Sequence, residues 1–350
     1  MKAILTGLLP EEITSVLELK EKFRGKQIFS WIGKGVRSLD EMTNLSKSLR
    51  EEIAAKADLY SSTVTQVLHD SDGTIKLQIT LHDGLAIETV LLTDAKGRKT
   101  ACVSCQAGCA MHCAFCQTGQ LGFARNLTAG EITEEFLFLE REAGMLDNIV
   151  FMGMGEPMQN LGAIRKAVEI LSHKDGRSLS TRRITLSTSG VIKGIYDLAD
   201  NGPKMRLAVS LTTADPDLRE ELMPVSKTNP LPELKKAIAY FIEKTGKRVT
   251  LEAALLAGKN TGEASIKRMK EFARGLNVHV NLIPWNPVGG LPFSRPSDSE
   301  CKTVLNALEK AGINTTLRTP RGQEIGGACG QLGKVSIVKK SNDNIGQSVL

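Results

Sequence analysis

From Thr100 onward short apolar runs alternate with longer amphipathic segments, and this rhythm limits the folds open to the chain. The runs are "KTACVSC", "NIVFMG", "RRITLST", "KMRLAVSLT", "RVTLEAAL" and "VHVNLIPW". Each is followed by a stretch with helical spacing, and "NTTLR" closes the series after "SECKTVLNALEKAG". In "TAGEITEEFLFLEREAG", Thr128 stands as N-cap with Glu131 three residues on, the pattern of a capping box. Six strands alternating with helices imply parallel pairing through right-handed crossovers, hence an α/β barrel or a partial one. In such folds the chemistry collects at the C-terminal strand ends. The loops that carry unusual residues all follow strands: the cysteine loop the first, "GMGEP" the second, "STSG" the third, "SLTTAD" the fourth and "PWNP" the sixth.

The flanks read differently. Residues 1–60 place apolar side chains at helical spacing in "PEEITSVLELKEK" and "LSKSLREEIAAKA", with Trp31 and basic residues between them. A small helical accessory module is expected, its lysines and arginines available to nucleic acid, although a solvated charged face explains any one of them equally well. Residues 61–93 alternate in strand fashion around "SDG" and "HDG", which fit hairpin turns, so a short antiparallel β section is expected there as a linker. The core is then 94–335, and the polar stretch 336–350 is expected to be a flexible tail.

The segment "GCAMHCAFCQTG" holds Cys109, Cys113 and Cys116 in C-x3-C-x2-C spacing. Five of the seven cysteines lie between Cys102 and Cys116, and no secretion signal or membrane-length apolar stretch is present. A cytoplasmic location with metal or redox chemistry is expected rather than a disulfide framework. Thiolates suit zinc or iron–sulfur. Closed zinc sites take four ligands, usually as two knuckles, and no second pair stands nearby; His112, adjacent to Cys113, makes a cramped fourth ligand. A four-iron cluster on three cysteines leaves one iron open to a further ligand. The net charge of +6 and pI near 8.9 suit a polyanionic partner without proving one.

The cysteine loop resembles that of the radical S-adenosylmethionine (SAM) superfamily. Together with "VFMGMGEPMQNL", "RRITLSTSG", "NLIPWNP" and "ACGQL" it is similar to the RlmN/Cfr family of radical SAM RNA adenine methyltransferases, over a span from the N-terminal module to about Gly333. That resemblance implies a partial (β/α)6 radical SAM barrel. It assigns a [4Fe-4S] cluster to Cys109, Cys113 and Cys116, and SAM contacts to Gly155, Glu156, Ser187, Ser210, Leu211, Thr212 and Asn286. The family commonly has His where this chain has Thr212.

The resemblance also makes Cys329 the methyl-carrying cysteine and Cys102 its resolving partner, with two SAM molecules used per turnover and a disulfide left behind. Glu88, alone among apolar residues in a strand, matches a family glutamate taken as a proton acceptor. Cys105 and Cys301 have no matching role.

The implied substrate is adenosine C2 in 23S ribosomal RNA, with tRNA left open as a second substrate. An electron-donating reductase is the implied partner, and no membrane. The chain is expected to act as a monomer. Arg125, Arg182, Arg183, Arg318 and Arg321 sit near motif loops as candidate phosphate contacts, internal ion pairs being the competing account. C8 methylation of the Cfr type and a zinc-stabilised RNA-binding protein without catalysis stand as the alternatives.

Overall fold

In the computed structural model, residues 2–333 are described, so the segment 336–350 expected as a tail lies outside the described residues. Ten strands form a single sheet whose spatial order is the chain order. They are β1 Thr63–His69, β2 Ile75–Thr80, β3 Ala86–Thr93, β4 Lys99–Cys102, β5 Asn148–Phe151, β6 Ile184–Thr188, β7 Arg206–Ser210, β8 Val249–Leu255, β9 Val278–Pro284 and β10 Thr315–Leu317. β1 to β4 pair antiparallel and β4 to β10 parallel. Parallel neighbours need long crossovers, and the helical segments supply them. The β-then-α rhythm is therefore realised as an open barrel of six β/α units ended by a seventh parallel strand.

One boundary differs from expectation. The antiparallel section is no separate linker: Val90–Thr93 of β3 pair with Lys99–Cys102 of β4, so it extends the barrel sheet. Its β3 is buried for most of its length, which binds it to the core. The hairpins at Asp70–Thr74 and Leu81–Leu85 are closed by backbone hydrogen bonds around the two Asp-Gly pairs.

The N-terminal module has three helices, α1 Pro10–Val16, α2 Lys22–Gly33 and α3 Lys47–Lys56. α2 falls largely in the stretch between the two expected helices, because Ile28, Phe29 and Ile32 recur at helical spacing and are buried. The module is fastened to α4 (Ala129–Ala143) through Glu134. That buried carboxylate accepts hydrogen bonds from Thr6 Oγ1 and from the backbone and hydroxyl groups of Ser61 and Ser62. α4 begins with the expected capping box, Thr128 and Glu131 each bonding the other's backbone N–H. The outer layer continues as α5 Leu161–Ser172, α6 Ile192–Asn201, α7 Pro216–Leu222, α8 Leu231–Thr245, α9 Glu263–Ala273 and α10 Asp298–Lys310. Among the described residues no helix is long and apolar enough to cross a membrane.

Candidate active site

The C-terminal ends of the parallel strands surround a cavity of about 190 Å³. It brings together Cys109, Cys113 and Cys116 with Gly155, Glu156, Ser187, Ser210, Thr212, Asn286 and Cys329, residues that the sequence spreads over most of its length. Leu211 is the exception among the expected SAM contacts. Its side chain is buried away from the cavity, and its backbone N–H donates to Glu252 O at 2.9 Å.

The cysteine loop leaves the short hairpin of Gln106–Gly108 with Phe123–Asn126 and turns at His112, whose φ of 51° is in the left-handed region. Cys113 and Phe115 pack against a small apolar cluster of Leu222, Met223, Leu256, Trp285 and Val288. Trp285 Nε1 donates to Phe115 O at 2.9 Å, closing that wall. Burial pushes the Cys109 thiol up to about 12 and raises Cys113 and Cys116 as well, so a bound cationic metal centre would be needed to hold them as thiolates. The donor set fits a [4Fe-4S] cluster, in which each cysteine serves its own iron. Among the described residues no three His, Cys, Asp or Glu side chains converge as a site for one ion, and His112 is exposed with Nδ1 3.2 Å from Gly119 O.

The "GMGEP" loop owes its glycines to packing against the cysteine strand rather than to ligand approach. A Cβ on Gly155, whose φ is 104°, would stand 2.6 Å from Gln106 Cβ, and one on Gly153 2.7 Å from the Val103 carbonyl carbon. Glu156 is buried, and its carboxylate accepts from Met158 N at 3.0 Å and from Ser189 N and Oγ, each at 2.7 Å. Burial dominates and raises its pKa despite these donors. One acceptor site of the carboxylate remains for an ammonium group.

Thr212 is held at φ 59° by its N–H to Glu252 O and by Asn260 Nδ2, which donates to its carbonyl at 3.0 Å. A β-branched residue in that region stores strain of about 1–2 kcal/mol. The backbone geometry is thus enforced whatever side chain stands there.

Arg219 on α7 gives no signal in the sequence, yet it organises this rim. Fully buried, it donates from Nη2 to Ser189 O at 2.8 Å and to Ser210 O at 3.2 Å, from Nε to Leu211 O at 3.1 Å, and from Nη1 to Ser226 Oγ. Burial lowers its pKa to about 10. It joins the ends of β6 and β7, where the expected SAM contacts Ser187 and Ser210 lie.

Cys329 arrives on the segment 326–333. Asn286 Nδ2 donates to Cys329 O at 3.1 Å, Gln117 N to Gly330 O at 2.7 Å and Thr118 Oγ1 to Leu332 O at 2.6 Å. The amide of Asn286 therefore positions the Cys329 backbone as well as lining the cavity. A second, smaller pocket is lined by Cys329, Cys102 and Arg318 together. Burial first, then the nearby Cys329, pushes the Cys102 thiol up to about 12.

Glu88 does not line either pocket. Its Oε1 is 2.9 Å from Lys76 Nζ, and its Oε2 accepts from Gly333 N at 2.6 Å. Lys76 Nζ in turn donates to Gly326 O at 3.3 Å. The pair clamps both ends of the Cys329 segment and engages both carboxylate oxygens, so the expected role of proton acceptor would require this pairing to open. Two of the five candidate RNA arginines are also used internally. Arg125 bonds Asp83 at 2.5 Å and Glu131 at 2.8 Å, and Arg183 is 3.4 Å from Asp147. Cys301 packs in the core on α10, and Cys105 is buried with its carbonyl accepting from Leu127 N and Asn160 Nδ2.

A partial parallel barrel with a three-cysteine loop after its first parallel strand, opposite a polar rim, defines a radical SAM enzyme. A family model described as the radical SAM superfamily matches residues 103–272, and one described as the ribosomal RNA large subunit methyltransferase N-terminal domain matches residues 7–59. The chain is 62% identical over 335 residues to a Treponema denticola protein named probable dual-specificity RNA methyltransferase RlmN, covering 96% of each. A Thermus thermophilus protein of the same name is 41% identical, with 95% and 93% covered. The crystal structure of a radical SAM methyltransferase from Sphaerobacter thermophilus matches with a TM-score of 0.91 at 41% identity, covering 94% of this chain and 99% of that one. The chain belongs to the RlmN family of radical SAM RNA methyltransferases. Membership in an enzyme family sets aside the non-catalytic zinc alternative.

Proposed function

We propose that this enzyme methylates C2 of adenosine in 23S ribosomal RNA and in tRNA, with Cys329 carrying the methyl group and Cys102 resolving the product. The observation that supports this most is that Cys329 lines both the cavity of the cluster cysteines and the pocket of Cys102. When bound, the cluster and SAM supply the methyl group, in one SAM, and the hydrogen-abstracting radical, from a second.

Gly155, Glu156, Ser187, the Ser210–Thr212 turn and Asn286 hold and orient SAM, and the Phe115–Trp285 wall keeps water from it. Cys329 takes the first methyl group on its sulfur and bonds through that carbon to the adenine ring. As the adduct radical loses one electron, which the cluster would take back, Cys102 accepts the ring proton as its thiolate, made strongly basic by burial. It then bonds to the Cys329 sulfur while that proton passes to the carbon leaving sulfur. This frees the RNA and leaves a Cys102–Cys329 disulfide for cellular thiols to reduce. A reductase supplies electrons, the enzyme acts as a monomer, and its ribosomal substrate places it in the cytoplasm. The presence of the N-terminal module favours C2 over the C8 outcome.

Mass spectrometry of digested RNA, resolving 2-methyladenosine from 8-methyladenosine, tests the regiochemistry. Cys102→Ala is expected to accumulate a covalent protein–RNA adduct and Cys329→Ala none. Methylation by both variants would remove the assignment of the pair.

A further inference from the structure

The side chain of Asn286 lines both the cavity of the cluster cysteines and the smaller pocket of Cys102, Cys329 and Arg318. It is only 3% exposed, so its partners in the fold decide which way the amide points. There are two of them. The Cys329 carbonyl can only accept, so Nδ2 must face it, and it does at 3.1 Å. Oδ1 then faces Gln323 and can be met only by a donor, which Gln323 Nε2 supplies at 2.9 Å. One orientation of the two amides satisfies both contacts. With the Asn286 amide reversed, oxygen would meet the Cys329 carbonyl and nitrogen the Gln323 donor, and both bonds would fail together.

Gln323 is itself aimed by its neighbours in the chain. Gly322 N donates to Asp72 Oδ2 at 2.8 Å and Glu324 N to Asp70 Oδ2 at 3.0 Å, so the turn between β1 and β2 grips the backbone on both sides of it. A second glutamine braces the Cys329 segment beside Asn286. Gln331 Oε1 accepts from Ala328 N at 3.2 Å, and its Nε2 donates to Pro287 O at 2.8 Å. Gln331 is buried, whereas Gln323 is exposed and reaches inward only with its amide. A substitution at Gln323 therefore alters this network at little risk to the fold.

We propose that Gln323 is a positioning residue: by donating to Asn286 Oδ1 it holds that amide in the one orientation that both receives SAM and seats Cys329. The second hydrogen on Nδ2 and the second lone pair on Oδ1 are the groups left for SAM. Ligand binding and the placement of Cys329 are thereby coupled through one side chain, and the coupling is reciprocal. The proposal rests on the reading of Asn286 as a SAM contact and of Cys329 as the methyl carrier, and adds the residue that sets the geometry between them.

The test uses the cluster-loaded enzyme under anaerobic conditions without RNA, and melting temperature reports that each variant is folded. One readout is affinity for S-adenosylhomocysteine, which carries no methyl group to transfer. The other is the rate at which neutral iodoacetamide alkylates Cys329, resolved by peptide mass spectrometry. Gln323→Ala removes the donor and is expected to weaken affinity and speed alkylation by roughly fivefold each, the worth of one hydrogen bond. Gln323→Glu keeps the shape but sets an acceptor against Oδ1, so it is expected to be worse, by roughly tenfold or more on both readouts. A carboxylate acting only through its charge would raise the Cys329 thiol's pKa and slow alkylation, the opposite direction. Gln323→Lys restores a donor and is expected to stay within about twofold of the parent. Glu324→Gln, at a neighbour that does not touch Asn286, is the control and is expected to do the same. Parent-like values in Gln323→Ala and Gln323→Glu, or a milder effect in Gln323→Glu than in Gln323→Ala, would overturn the proposal and leave the function reading standing. If SAM never methylates Cys329 in the parent, the function reading falls, and the order of alkylation rates still decides whether Gln323 positions Asn286.

Discussion

The two ends of the barrel treat charge in opposite ways. At the C-terminal rim, charged groups are answered inside the fold. Arg219 is bonded to the carbonyls of Ser189, Ser210 and Leu211, and Glu156 to Ser189 and Met158. At the N-terminal mouth, Arg182, Arg206 and Arg248 face a cleft, and among the described residues no carboxylate stands in pairing range of them. A rim whose polar groups are pre-bonded holds one small ligand in one geometry at little reorganisation cost. Unanswered cations suit a long anion whose strength of binding scales with the number of phosphates met. Between them lies the seam, where the buried Lys76–Glu88 pair fastens the segment that carries Cys329.

If the contrast is real, removing an answered charge costs stability, whereas removing an unanswered one costs only RNA affinity. The largest effect is expected at the seam. Glu88→Gln leaves a buried ammonium without its partner and is expected to destabilise the fold by about 3–5 kcal/mol in urea unfolding. The double replacement K76M/E88M is expected to restore much of that stability and of the methylation rate. A double variant as stable as the parent yet inactive would return Glu88 to the role of proton acceptor.

Next comes Arg219→Met, which leaves buried carbonyls unmatched. It is expected to cost about 3 kcal/mol and to weaken SAM binding, while RNA affinity in the folded fraction stays within twofold. A loss of RNA affinity equal to the loss of SAM affinity would erase the division between the ends.

The smallest effect is expected outside the barrel, at Arg125. For Glu131 burial is the largest influence and acts upward, but Arg125 and the Thr128 cap outweigh it and the carboxyl lies below its ordinary pKa. A carboxyl with a lower pKa folded than unfolded contributes stability above its unfolded pKa. That stability is lost as pH falls through the folded value. Arg125→Gln is therefore expected to cost about 1 kcal/mol at neutral pH and to flatten the acid limb of stability below about pH 4. RNA affinity is expected to be unchanged, since this arginine is engaged by Asp83 and Glu131.

Legibility followed the range of the interaction. The C-x3-C-x2-C spacing, the Thr128–Glu131 cap and the strand-to-helix rhythm are local, so a few adjacent residues carry each of them and the structure repeats them. Within the expected helical module the bounds of α2 are not legible, because its apolar positions stand among lysines and arginines that mask the period. The arginines near motif loops looked alike in the chain, but Arg125 and Arg183 form ion pairs, Arg318 lies within the electrostatic reach of Glu252 and Arg321 of Asp72, and Arg182 makes no ion pair among the described residues. Arg219 carried no local mark at all, because its partners are backbone carbonyls that every residue possesses.

The sequence by itself determined the class of chemistry, since three thiols on one short loop and a repeating β/α pattern depend only on neighbours along the chain. It also determined that a basic protein would have cations to place. Only the tertiary structure decided which of those cations were paired, that Cys102 and Cys329 face one pocket, and that Glu88 bonds Lys76 and the Cys329 segment. Those facts depend on which strands lie side by side and which faces turn inward, and such contacts between distant residues arise when the sheet curls into a barrel.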